Sequence, residues 1–508
     1  MIVEPGFDDF QRAHAGRRAQ VVWTRLVDDL ETPVSAYLKI ARGQPYAFLF
    51  ESVEGGAWRG RYSIVAMKPD LVWRCRAGVA EVAEGEAIGR GAFTPQDGGA
   101  LDGLRDLVAG ARLDLPAGLP PMAAGLFGVL GYDMVRLVER LPDVKADPLD
   151  LPDAILIRPS IVAIFDAIAQ EIVLVTTVRP SPAGAGADYA QARGRLEAVA
   201  ADLAARPPGR APPREAPPPP PFASSLGREA YGALVEKAKA YIRAGDIFQV
   251  VASHRFSAPY AHDPFALYRA LRRANPSPFL FFLNFPDFQL VGSSPEILVR
   301  LREGTITIRP IAGTRRRGAT PAEDLALEAE LLADEKERAE HLMLLDLGRN
   351  DVGKVASLGR VGRNTPAAAP RVRVTQSFAV ERYSHVMHIV SNVEGDAPEG
   401  LDPVDVLMAA LPAGTLTGAP KVRAMQIVDE LESVKRGVAY GGAVGYFGAD
   451  GSVDTCIVLR TGLIKDGALH VQAGGGVVAD SDPAAEYEET VQKSLAVRRA
   501  AEEAWRFG

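Results

Sequence analysis

The chain has 508 residues, 47% of them apolar and 24% charged, an ordinary globular mixture long enough for two or more domains. Its net charge of −7 offers no general attraction for nucleic acid or anionic membrane, so an anionic ligand would need local cations or a metal. The two cysteines, Cys75 and Cys456, match neither a disulfide framework nor a metal-site spacing. With an acidic N-terminus and no apolar run of bilayer length, they point to a cytoplasmic protein without membrane segments.

Residues 1–206 alternate short apolar strands with helices. Strands rich in Val, Ile, Phe and Tyr are predicted over 46–51, 62–67, 71–76, 160–165 and 171–177, and helices over 34–41 and 190–205. From Pro207 to Pro221, nine of fifteen residues are proline. Such a stretch cannot feed backbone donors into helix or sheet and would run about 45 Å if extended, so 207–223 reads as a linker. After it, Tyr231, Leu234, Val235, Ala238, Tyr241 and Ile242 recur at helical spacing over 228–244. Strands follow at 247–252, 279–285, 288–292 and 297–301, the last turning through Arg302-Glu303-Gly304 into 305–309. Helices are predicted over 322–346, 403–410, 421–433 and 484–501, with Asp482 as N-cap and Pro483 at the first position of the last. Strands at 442–447, 454–462 and 468–473 precede that final helix. The pattern predicts an α+β fold of large, mostly antiparallel, sandwich-like sheets flanked by helices, with 224–508 as a second region.

Two acidic pairs stand out. Glu337 and Glu340 share one helix face, and Glu486 and Glu489 repeat the spacing. They are either solvated surfaces or, if brought together, a set of hard oxygens suited to Mg²⁺. Gly474, Gly475 and Gly476 follow a strand and read as a flexible turn or as an anion cradle beside a helix. Arg460 ends an apolar strand, as an edge residue or a carboxylate clamp. Lys493 lies four residues beyond Glu489, as an ion pair or a second anchor for a carboxylate. Thr415-Leu416-Thr417-Gly418-Ala419-Pro420-Lys421 places hydroxyls and a cation at a helix start, and His385 and His388 flank Val386-Met387 in a strand-like run.

In order, the chain shows Asp334-Glu335-Lys336-Glu337-Arg338-Ala339-Glu340-His341, Arg349-Asn350-Asp351, Ser384-His385-Val386-Met387-His388, Gly414 to Lys421, Tyr440-Gly441-Gly442, Arg460, and Gln472 to Gly476. This succession closely resembles the chorismate-utilising enzymes over nearly the whole chain. Phe50-Glu51-Ser52 and Arg61-Tyr62-Ser63 match that family's regulatory region. The resemblance implies Mg²⁺ on Glu340 and Glu489, supported by Glu337 and Glu486. It implies substrate contacts from Gly313, Thr314, Tyr440, Arg460, Gly474, Gly475, Gly476 and Lys493.

Two positions sort the family. Relatives that add water carry a lysine base where this chain has Gln249, and aminodeoxychorismate-forming relatives carry a nucleophilic lysine where it has Ala312. Glutamine and alanine favour direct attack by ammonia, giving anthranilate and pyruvate through an aminodeoxyisochorismate intermediate. By the same resemblance Glu296 protonates the leaving hydroxyl, His388 serves the pyruvate-eliminating step, and Thr417 contacts ligand or fixes its loop. Neither cysteine sits in a glutaminase nucleophile turn, so ammonia is expected from a separate glutamine amidotransferase subunit. Feedback inhibition by tryptophan is implied at Glu51 and Ser52 with Pro278, Phe279 and Leu280. The family often has Tyr-Met in place of Phe279-Leu280, which alters the fit to an indole. The competing readings are a 4-amino product on the folate route and a non-catalytic tryptophan-sensing subunit.

Overall fold

The central strands are apolar and buried along nearly their whole length, so both faces of each must be covered, and here they are in four layers: helix, sheet, sheet, helix. The computed structural model describes residues 1–52, 60–142, 145–206, 216–357, 372–383 and 386–507; His385 and residues 207–215 of the predicted linker lie outside these. The strands that build the site are β1 (Ala47–Glu51), β2 (Tyr62–Arg76), β3 (Gly125–Leu130), β4 (Ala154–Asp166), β5 (Gln249–Pro259), β6 (Phe279–Asn284), β7 (Phe288–Ser294), β8 (Ile311–Arg316), β9 (Val386–Asp396), β10 (Ala443–Gly448) and β11 (Ala468–Val477). The helices are α1 (Pro264–Ala274), α2 (Glu335–Ser357), α3 (Lys421–Leu431) and α4 (Pro483–Glu503).

Two antiparallel arms diverge from β4. One runs β4–β2–β1–β6–β7, then Thr461–Lys465, β11 and β5. The other runs β4–β3–β10, then Val453–Ile457, Ile297–Arg302, Thr305–Ile308, β9 and β8. Their inner faces meet in an aromatic core in which Phe48, Phe281 and Leu290 of the first arm pack with Phe127, Val444 and Cys456 of the second. Leu267 and Leu271 of α1 and Val497 of α4 cover the outside of the first arm. Val352 and Val355 of α2 cover the second. The ladders β1–β6 and β3–β10 cross the linker, so residues 1–206 and 224–508 share both sheets. Among the described residues, no helix is long and apolar enough to cross a membrane.

Three expectations are corrected. The segments 62–67 and 71–76 are one strand, its register shifting between Pro69 and Leu71. The helix expected over 322–346 is two, Pro321–Ala333 and α2, because Asp334 leaves the helical conformation and its side chain accepts the amides of Lys336 and Glu337. The strand expected over 454–462 ends at Ile457, and Arg460 sits in the connection to Thr461–Lys465 with φ 49°.

Candidate active site

The break at Asp334 places Glu337 and Glu340 in the first turns of α2. Glu340 Oε1 accepts a hydrogen bond from Gln249 Nε2 at 3.3 Å, which joins α2 to the start of β5. Glu337 accepts from Arg315 at 3.4 Å. Burial raises the Glu337 pKa and the charge of Glu340 raises it further, against the pull of Arg315. On α4, started by Asp482 capping Ala485 N at 2.8 Å, Glu486 accepts from Ser481 Oγ at 2.6 Å while its other oxygen, Oε2, is buried without a partner. Burial raises the Glu486 pKa, Ser481 opposes the rise and Glu489 adds to it. Glu489 is half-exposed and pairs with Lys493 at 2.7 Å; Lys493 also donates to the carbonyl of Gly474 at 3.1 Å.

The glycines run between these groups. They form the end of β11, paired with β5 as Gly474–Ser253, Gly475–Ala252 and Gly476–Val251, and are not the turn that composition suggests. A Cβ on Gly476 would lie 2.3 Å from Gln249 Nε2 and 3.8 Å from Glu340 Oε1, one on Gly475 would lie 2.8 Å from Glu486 Oε2, and one on Gly474 would lie 2.9 Å from Tyr440 Oη. Successive strand positions face opposite ways. Glu340 and Glu486 therefore approach the strand from its two faces, and any side chain here would displace a candidate site group.

Among the described residues, no three His, Cys, Asp or Glu side chains are gathered tightly enough to hold a metal unaided. The donor set still fits a magnesium ion. It is all carboxylate; beyond burial, Glu340 raises the pKa of Glu337 and Glu489 that of Glu486 by like-charge repulsion that a cation would relieve, and Mg²⁺ commonly takes one or two carboxylates and completes its shell with water and substrate oxygens.

The remaining groups line the space between β8, β9 and residues 457–461. Glu296 is buried, and burial pushes its pKa up to about 8; the nearby Thr415 hydroxyl, the Ile311 amide, Arg460 and Lys493 restrain that rise. The Thr415 hydroxyl is itself buried and makes no hydrogen bond of ordinary geometry. Burial lowers the Arg460 pKa and the charge of Glu296 raises it, while the guanidinium makes no hydrogen bond or salt bridge among the described residues. At Gly313, φ 69°, the β8–β9 register shifts between Ala312 and Thr314, a bulge that turns the backbone toward His388. His388 Nδ1 lies 3.1 Å from the Gly313 carbonyl and 3.0 Å from Thr314 Oγ1. A carbonyl only accepts, so Nδ1 carries the proton and Nε2 keeps its lone pair. Burial lowers the His388 pKa to about 4, with Gly313 opposing and Arg460 contributing, so the ring is neutral at neutral pH.

Two motif residues hold the frame. Thr417 is buried and its hydroxyl donates to the Ala413 carbonyl at 3.1 Å. Lys421 pairs with Asp351 at 2.7 Å, tying α3 to α2. The residues expected to bind tryptophan lie apart from the acidic groups. Glu51 pairs with Leu280 across β1–β6, and its carboxylate is engaged by Tyr268 and by Arg272 at 2.9 Å; Ser52 Oγ is buried without a partner. Pro278 is buried beside Phe279, which pairs with Ser294, two residues before Glu296. Sequence reasoning left Arg315 and Thr415 without a role. The charge run Arg315-Arg316-Arg317 next to Gly313-Thr314 was the available signal for the first; the hydroxyl-bearing stretch Thr415 to Lys421 marks the second without singling it out from Thr417.

A family model described as chorismate binding enzyme matches residues 63–499. The chain is 56% identical over 505 residues to anthranilate synthase component 1 of Cereibacter sphaeroides, covering 99% of this chain and 98% of that one. It is 48% identical over 479 residues to anthranilate synthase component 1 of Pseudomonas putida, covering 93% of each. The crystal structure of anthranilate synthase component I from Streptococcus pneumoniae superposes with a TM-score of 0.76 at 34% identity, over 93% of this chain and 99% of that one. The menaquinone-specific isochorismate synthase of Escherichia coli shares the fold, with a TM-score of 0.69 at 18% identity over 97% and 98% of the two chains.

Proposed function

The chain belongs to the chorismate binding enzyme family, and on that premise we propose that it is the large subunit of an anthranilate synthase. It converts chorismate and ammonia to anthranilate and pyruvate in the cytoplasm, at the entry to tryptophan biosynthesis. The observation that carries this reading is Gln249. Its amide nitrogen donates to Glu340, and its carbonyl oxygen is buried without a partner. That oxygen suits an N–H of ammonia, which needs orientation but no base, whereas water would need a base that glutamine cannot be.

The Arg460 guanidinium and Lys493 offer counter-charge to the substrate carboxylates. Mg²⁺ held by Glu340 and Glu489, with Glu337 and Glu486 in support, would draw electron density from the ring through the ring carboxylate. Gly313, Thr314, Tyr440 and the glycine end of β11 line the remainder. Ammonia attacks the ring carbon beside the carboxylate-bearing one, the double bonds shift, and the hydroxyl leaves as water with the proton of Glu296. The ammonium formed loses one proton, which restores the acid. In the second step His388 Nε2 takes the ring proton from the carbon that received nitrogen, the bond to the enolpyruvyl oxygen breaks, and the enol becomes pyruvate on protonation. Thr417 holds the loop behind the site through Ala413.

A separate glutamine amidotransferase subunit supplies ammonia in this reading. Tryptophan inhibits from the β1–β6 seam, where the free hydroxyl of Ser52 is the ligand contact and Glu51, already engaged, shapes the wall. The 4-amino alternative is opposed by Ala312, which sits opposite Ile389 in the β8–β9 ladder and has no nucleophile. Product analysis with chorismate, ammonium and Mg²⁺ tests the assignment. Wild type should give fluorescent anthranilate, and His388→Ala should accumulate the non-aromatic amino intermediate. A 4-amino product from wild type would reassign the enzyme; a His388→Ala variant that leaves chorismate untouched would move His388 to the first step.

A further inference from the structure

A buried ion pair outside the reaction scheme touches most of the segments that carry it. Arg436 and Glu432 are each only 3% exposed. Arg436 Nε donates to Glu432 Oε2 at 2.9 Å, Nη1 to the Leu416 carbonyl at 2.6 Å, and Nη2 to the Val251 carbonyl at 2.8 Å and to Glu432 Oε1 at 2.5 Å. Its plane lies against two rings, 4.8 Å from the centroid of Tyr132 and 5.3 Å from that of Tyr440. Glu432 Oε1 also accepts from the amide and hydroxyl of Ser253, each at 2.7 Å, and Ser253 Oγ accepts from Gln472 Nε2 at 2.8 Å.

These contacts converge on the site from separate directions. Val251 and Ser253 lie in β5 just after Gln249 and pair with Gly476 and Gly474. Leu416 lies between Thr415 and Thr417, and Gln472 precedes the glycines on β11. Four of the five guanidinium N–H groups go to protein acceptors and the group is sealed under two rings, so Arg436 acts on the site through the protein groups it holds. A buried pair of this kind is a poor source of stability, because desolvation offsets most of its attraction and well-packed apolar residues commonly do as well. What it supplies is geometry, since a planar fork fixes several carbonyls at once where an ammonium would not. A cation against the Tyr440 ring also makes that phenol a better hydrogen-bond donor.

We propose that Arg436, locked by Glu432, is a positioning residue that sets Tyr440, the Leu416 carbonyl and the β5–β11 glycine ladder in the arrangement that receives the substrate carboxylate. The inference rests on the chorismate reading above and deepens it by naming what pre-organises the anion-binding side. Arg436→Lys keeps the charge and loses the fork; Glu432→Gln keeps the volume and loses the lock. Both are assayed with chorismate, ammonium and Mg²⁺ well below their melting temperatures, alone and combined with Tyr440→Phe. Each should raise the KM for chorismate on the order of 10-fold with a smaller change in kcat, the mark of lost pre-organised binding. In the Tyr440→Phe background the increment should shrink, because both changes act on one contact. If Arg436→Lys does not fold, Glu432→Gln carries the test. Wild-type kinetics in the folded variants, or full additivity with Tyr440→Phe, overturns the inference alone. A wild type that does not consume chorismate overturns the functional reading and this inference with it.

Discussion

In the proposed reaction, Glu296 sets where on the pH scale the site works. An acid held near 8 by burial is mostly protonated at neutral pH and loses its proton as pH rises through that value, so the competent form is the low-pH form. The alkaline limb of kcat/KM is therefore expected near pH 8, and Glu296→Gln should lower kcat by roughly 10²- to 10⁴-fold and abolish that limb. A pH–rate series on the two proteins checks this, and an unchanged limb in the variant would assign the titration elsewhere. His388 contributes no limb near neutrality, since its pKa is lowered to about 4 and the ring becomes charged only in acid. The order of the motifs singled these residues out, but their burial and charge states were not visible in it. Nothing in Ser293-Ser294-Pro295-Glu296 says that the carboxyl is sealed in, and nothing in Lys435-Arg436-Gly437 says that the arginine is buried. Both facts arise from elements far apart in the chain that close around the group, as Val251, Ser253 and Leu416 do around the Arg436–Glu432 pair.

The end of β11 shows why an element can be located and its purpose misread. Three successive glycines disfavour a strand by composition, yet these are strand because the ladder to β5 outweighs propensity and because side chains from three directions occupy their Cβ positions. The close approach is visible only once Gln249, Glu486 and Tyr440 are folded against it. Gly476→Ala should push Gln249 aside while leaving the ladder intact, lowering kcat/KM roughly 10²-fold with little change in Tm. Gly445→Ala is a contrasting control. There the added carbon would sit 2.1 Å from the backbone oxygen of Asp454 in the next strand; repair requires the sheet itself to move, at a cost of about 3 kcal/mol or more. Thermal melts beside steady-state kinetics separate the two cases, and equal losses of stability would refute the distinction. Helix limits were the better-read features. Pro403–Ala410 and the Asp482-Pro483 start of α4 stand where caps and proline place them. The division at Asp334 was missed because an aspartate between two acidic helical runs is also tolerated within one.

At the scale of the whole molecule, the proline-rich segment suggests two separable halves, and the sheet pairings do not. Five rungs between β1 and β6 and six between β3 and β10 bind residues before the linker to residues after it. Removing either half would expose those strand edges and the aromatic core between the arms. Proteolytic cleavage within 207–215 should therefore leave a nicked complex that co-elutes in gel filtration and keeps its activity, whereas residues 224–508 produced alone should aggregate. A stable, monodisperse 224–508 fragment would contradict this. The ladder architecture was only partly readable, because period-two patterns identify strands but do not say which strands pair across the linker. The two lobes share backbone ladders, so in the proposed regulation an inhibitor lodged beside Ser52 would act by straining those ladders. It would distort one shared fabric, and the tug would travel along the rung joining Phe279 to Ser294 and reach Glu296, the proposed acid, within two residues.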